Sequence, residues 1–275
     1  ETDYVDVDIN ADVNLYGVGA PGDVVLDGAG SGTVVSWLSK AATSEVDNLV
    51  LTNGVGFYDS SFGRNIGGLI RCQSSAVVTL SNITLTAGDA GLGGGIFTDG
   101  CTLDFSDTEV YENTAEYGAG MFIYSGDVSF VDSQIWSNVA DYTGGGAALE
   151  GYTAAASLTL TDTAVTDNEG YYGAGLSAIY DSSITITGTG KGKIAAEVTS
   201  NYNTSQVDDY NYGGGLLTYF AGYSGTVSVS NVNFGEEKLG DDNDPNDVYS
   251  FDYETEYTDY GANASFNCNY SSGCY

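Results

Sequence analysis

The sequence has no histidine, two prolines, one methionine and only six basic residues. Each shortage excludes something. The absence of histidine, with four cysteines that never form a C-x-x-C pair, argues against a zinc or haem site. Six Lys and Arg against 38 Asp and Glu give a formal charge of −32. Such a surface repels phosphate backbones and anionic lipid headgroups, so no nucleic-acid partner is expected and anionic membrane surfaces are disfavoured. No run of about eighteen apolar residues occurs, so there is no membrane span. The chain opens on the polar segment ETDYVDVDIN with no basic–apolar leader, and is expected to be a mature form whose export signal has been removed. Scarce proline beside 39 glycines argues against linker-like sequence and for many tight turns between ordered segments. With 42% hydrophobic residues, the chain can bury a core.

What is present is a repeat. A pair of small residues followed by an apolar one recurs as Gly67-Gly68-Leu69, Gly94-Gly95-Ile96, Ala119-Gly120-Met121, Gly145-Gly146-Ala147, Ala174-Gly175-Leu176 and Gly214-Gly215-Leu216. The second glycines lie 27, 25, 26, 29 and 40 residues apart. A period in the twenties is an architectural signal that precedes any reading of motifs. Between glycine pairs the texture is that of strands: TLDF at 102–105, SLTL at 157–160, SITIT at 183–187 and TVSVS at 226–230 alternate apolar with polar residues. Three short strands per repeat predict an all-β fold, a right-handed single-stranded parallel β-helix of about ten coils with capped ends. At the usual strand spacing the rod is on the order of 45–50 Å long.

Matching apolar positions predict inward ladders through Leu80, Leu103 or Phe105, Phe130, Leu160, Ile186 and Val229. An Asn three places after an apolar residue recurs as Asn113, Asn138 and Asn168 and is expected to form an internal amide ladder. The chain is expected to be one domain over 1–275. Residues 1–66 give a cap and early coils, 67–234 the regular repeats with an insertion near 189–212, and 235–275 an acidic loop and C-terminal cap. Cys72 and Cys101 fall on the same segment of adjacent coils and are expected to pair, and Cys268 and Cys274 to close a short loop near the C-terminus.

The GG-apolar and apolar-x-x-N units resemble the repeat of the polymorphic outer-membrane proteins and, more widely, bacterial right-handed β-helix surface proteins. The likeness covers 67–234 strongly. It departs in using Val or Ile where the family uses Phe, in losing the Asn from the first and last repeats, and in having no outer-membrane barrel after residue 234. The resemblance implies a secreted or cell-surface β-helix, often adhesive.

Three features lie outside the repeat. Asp241, Asp242, Asp244, Asn246 and Asp247, together with Asn243, concentrate hard oxygen ligands and suit Ca²⁺, although no EF-hand loop is formed. Tyr117, Tyr142, Tyr172 and Tyr212 precede successive glycine pairs and suit an aromatic ridge that binds a surface glycan or a protein partner. Arg71, beside so many carboxylates, is the one candidate for lyase chemistry on such a scaffold, and the polygalacturonase-type GHG and RIK motifs are missing. The sequence therefore favours a non-catalytic structural or adhesive protein, Ca²⁺-stabilised and self-associating into fibres. A Ca²⁺-dependent polysaccharide-active enzyme is the alternative.

Overall fold

The computed structural model describes residues 7–38, 42–203, 213–235, 243, 247–252, 255–257, 264–271 and 273–274. The described residues contain strands and no helix, and the strands stack as a parallel β-solenoid of about eight turns rather than ten.

One turn shows how the sequence sets the path. Strand Ile96–Ser106 covers two faces, bending at Gly100, whose φ is +87°. Strand Glu109–Tyr111 forms a third face and Thr114–Tyr117 a fourth. A turn thus has four short runs where three were expected. The corners explain this: each carries a residue at positive φ. Asp107, Asp132 and Asp162 turn the second face into the third; Glu112, Ser137, Asp167 and Ser200 turn the third into the fourth. Asp and Asn tolerate this left-handed region because their short side chains bond the local backbone, so a corner needs no glycine.

Register is nearly uniform. Phe105 pairs with Leu80 below and Phe130 above, followed by Leu160, Ile186 and Val229. Phe105 is therefore the rung of that ladder, and Leu103 belongs to the parallel one through Val78, Val128, Leu158, Ile184 and Val227. All are buried. Each such side chain contributes roughly 1.5–3 kcal/mol of burial.

The polar ladder is longer than expected. Asn113 donates from Nδ2 to Asn138 Oδ1 at 2.9 Å, Asn138 to Asn168 at 3.0 Å, Asn168 to Asn201 at 3.0 Å and Asn201 to Asn243 at 3.0 Å. Each amide also donates to a carbonyl of the preceding turn: Leu85, Val110, Ile135, Val165 and Val198. Each Oδ1 accepts the backbone N–H of the rung before it, ending at Gly88 N–H on Asn113. The Asn is thus not lost near the C-terminus. Val198-Thr199-Ser200-Asn201 keeps the spacing, hidden by the chain inserted before Gly214. In the early turns Gly54 and Gly88 stand in its place; a Cβ there would lie 1.9 Å and 2.2 Å from the carbonyls of Gly68 and Gly94.

Acidic residues outside are tied to hydroxyls of a neighbouring turn, which keeps like charges from stacking. Ser81 donates to Asp47, Ser125 to Asp99, Ser129 to Asp104 and Thr114 to Asp89, at 2.6–2.9 Å. Asp107, Asp132 and Asp162 do stack, at one corner. There the insertion folds back as a strap. Thr189 donates its N–H and hydroxyl to Asp162, Lys193 its N–H to Asp132 and its ammonium to Asp107. Burial raises the Asp162 carboxyl, but bonds from Thr189, Gly190 and Gly192 outweigh it and leave the group below its ordinary value. That contribution to stability is complete above the unfolded-state value and is lost as pH falls through the lower folded value. Asp162→Asn is expected to melt roughly 2–4 °C lower near neutral pH, with the gap closing below about pH 4. A gap that does not change with pH in calorimetric scans would refute this role.

Both expected disulfides are present, Cys72–Cys101 with Cα atoms 6.1 Å apart and Cys268–Cys274. The register partner of Cys72 is Thr98, so the first bond reaches diagonally across the corner from one face to the next. It closes 29 residues and the other six. Removing the first pair by Cys72→Ala and Cys101→Ala should cost about 3.5 kcal/mol, the second about 2 kcal/mol. Denaturant melts giving the reverse order would contradict this. At the C-terminal end, Thr255–Tyr257 pairs antiparallel with Val248–Ser250 and Ala264–Asn269 with Thr226–Val232, covering the last parallel strands.

Candidate functional site

Alternation along the first face places Ile96, Met121, Ala147 and Leu176 in the interior and their neighbours Phe97, Phe122, Ala148 and Ser177 on the outside. These outward residues are nevertheless buried. They form the floor of an angle between the first and fourth faces, where Ile66, Leu92, Phe97, Phe122 and Ala148 make a second, smaller apolar cluster. Phe62, from the 57–66 hairpin, packs edge-on against Phe97 at 5.3 Å and Tyr124 at 5.0 Å.

The walls of this angle are aromatic. Tyr117 and Tyr142 stack at 5.0 Å on the fourth face, continuing the expected ridge. Tyr172 lies against Tyr171 and against Phe251, which also meets Tyr219 of the opposite wall at 5.9 Å. Tyr212 lies outside the described residues. A further group, Tyr152, Tyr180, Tyr219 and Tyr223, gathers around Tyr180, with ring centroids 5.2–6.3 Å from it. Repeat spacing does not reveal this group, because its members share no repeat position.

Charge enters at two points. Arg64 binds Glu116 at 2.6 Å and lies over the Tyr117 ring at 5.3 Å. With Ser61, Phe62, Leu92, Tyr117, Tyr124 and Glu150 it lines a cleft of about 390 Å³. Glu150 is half-buried there; burial lifts its carboxyl above the ordinary range and Arg64 partly opposes this. Among the described residues it meets no hydrogen-bond donor. Arg71 is buried, 3.9 Å from Asp8 and over the Phe57 ring at 4.2 Å.

Of the candidate calcium ligands, Asp241, Asp242, Asp244 and Asn246 lie outside the described residues. Asp247 is buried and accepts from Asn243 Nδ2 at 2.9 Å, closing the end of the amide ladder. Among the described residues no three His, Cys, Asp or Glu side chains are grouped to hold a metal ion. No protein-family model, curated protein or solved structure matches the chain.

Proposed function

We propose that the chain is an extracellular, non-catalytic solenoid with a structural or adhesive role at a bacterial surface. The observation that carries this is the aromatic strip along the outer angle, from Phe62 through Tyr117 and Tyr142 to Phe251. The interior ladders do not need it, and a run of half-buried aromatics with Tyr142 exposed is a mark of partner binding. Two disulfides fit an oxidising compartment. Kinship with the polymorphic outer-membrane protein repeats rests on the glycine-pair and Asn units. Self-association draws on the first turn, where the outer edges of Leu15–Tyr16 and Val25–Asp27 have no strand partner among the described residues. Calcium belongs to this reading through the acidic stretch 241–246.

Beads coated with the protein and offered to glycan- and protein-coated surfaces test it, with Ca²⁺ and with chelator. Tyr142 is 48% exposed. Tyr142→Ser should weaken capture about fivefold while moving the melting point by no more than about 2 °C. Unchanged capture, or a large loss of melting temperature, would make the ring merely structural.

The half-buried Glu150 favours a second reading, a polysaccharide-active enzyme with Glu150 as proton donor. Glu116 is held by Arg64, and among the described residues no carboxylate other than Glu150 lines the cleft. Reducing ends released from polysaccharide by the wild type and not by Glu150→Gln would establish that reading instead.

A further inference from the structure

We infer that the tyrosine group Tyr152, Tyr180, Tyr219 and Tyr223, with Glu150 at its edge, is a receiving site for a cationic side chain, arginine or lysine, of a partner protein. This rests on the adhesive reading above and names the chemistry of what is bound.

The chain itself supplies the precedent. Its two described arginines near aromatic rings both lie over them, Arg64 on Tyr117 and Arg71 on Phe57, each with a carboxylate in reach: Glu116 for the first, Asp8 for the second. The tyrosine group repeats the same ingredients without the cation. Tyr180 stands at its centre, 5.2 Å from Tyr152, 5.3 Å from Tyr223 and 6.3 Å from Tyr219. The contacts are tilted or edge-on rather than stacked, and Tyr152, Tyr219 and Tyr223 keep 58%, 40% and 39% of their surface. That is enough for a planar guanidinium to reach them.

Glu150 reaches the group through the backbone. It pairs with Ile179, the residue before Tyr180, and Ile179 pairs in turn with Tyr219. Its charge is felt at Tyr180, whose hydroxyl is raised by burial and then by Glu150. Among the described residues no Lys or Arg lies over these four rings. A cation over a ring face is attracted by the ring quadrupole, and more so beside a partly desolvated carboxylate. With 38 acidic and six basic residues, the protein also draws basic partners from a distance. A neutral glycan would use the rings but would add no charge opposite Glu150, whose carboxyl Arg64 offsets only in part.

The test is titration of the whole protein, at fixed ionic strength, with two capped tripeptides: Gly-Arg-Gly and its neutral twin Gly-citrulline-Gly. Tyrosine ring protons are followed by NMR. The arginine peptide should shift the signals of the four tyrosines and bind about tenfold more tightly than the citrulline peptide. Glu150→Gln, nearly isosteric, should reduce that preference severalfold, and Tyr152→Leu with Tyr223→Leu should remove the shifts with the melting point checked in parallel. Equal binding of both peptides, shifts at other rings, or tighter binding of cellohexaose to these rings would overturn the inference. Failure here with capture still dependent on Tyr142 would remove the cation site and leave the adhesive reading. Arginine binding without capture by any coated surface would do the opposite.

Discussion

Asn138→Ala is expected to cost about 3–5 kcal/mol. The figure follows from what the amide holds. Its Oδ1 accepts the backbone N–H of Asn113 at 3.1 Å and the Asn113 amide at 2.9 Å; its Nδ2 serves Val110, Trp136 and Asn168. All three asparagines are fully buried, so no water replaces the missing partner. At least two donors of Asn113 are orphaned at about 1–3 kcal/mol each, and a small cavity is added. Asn138→Asp should be worse near neutral pH, since a buried carboxylate would face the Asn168 oxygen and the Val110 carbonyl. It should recover partly in acid, where a protonated carboxyl can donate. Denaturant melts of both variants check this, and a loss below about 1 kcal/mol for the alanine would mean that the ladder is ornamental.

Gly120→Ala should cost about 3 kcal/mol, for a different reason. A Cβ there would sit 2.3 Å from the Gly146 carbonyl oxygen of the next turn and 3.2 Å from the Asn138 amide. That same carbonyl accepts the N–H of Met121, so the turns cannot move apart without breaking the bond that stacks them. The methyl group is small; the backbone it meets cannot yield. Gly190→Ala makes the comparison: its φ is +67° and no atom would lie within 4 Å, so only the left-handed penalty of about 1 kcal/mol remains. Equal losses at the two sites would refute close approach as the reason for the glycine pair.

The interior was the legible part of this chain. Inward side chains repeat with the turn, so Phe130, Leu160 and Ile186 could be placed on one ladder from spacing alone, and Asn113, Asn138 and Asn168 on another. Cys72 and Cys101 followed from the same period, though not the diagonal reach of their bond. What the spacing hid was each place where the period breaks. Asn201 and Asn243 keep their rungs although 33 and 42 residues separate them from the rung before, so counting from a glycine pair misses them. Asp247, whose composition suits a cation, faces inward because the ladder needs a terminal acceptor. The outer aromatic groups were illegible for a deeper reason. Tyr152 and Tyr223 meet Tyr180 across bends of irregular length, and no periodicity records a contact between two irregular segments.

The claim that the repeated motif is interior scaffold, with binding left to the surface outside it, is tested most directly by hydrogen exchange. Side-chain and backbone amides of Asn113, Asn138 and Asn168 would be followed by NMR in the native protein. The account predicts that these side-chain protons exchange as slowly as the backbone N–H groups of Val110 and Ile135, opening only when the turns separate. Exchange as fast as that of an exposed amide such as Asn82 would place the motif at the surface and contradict it.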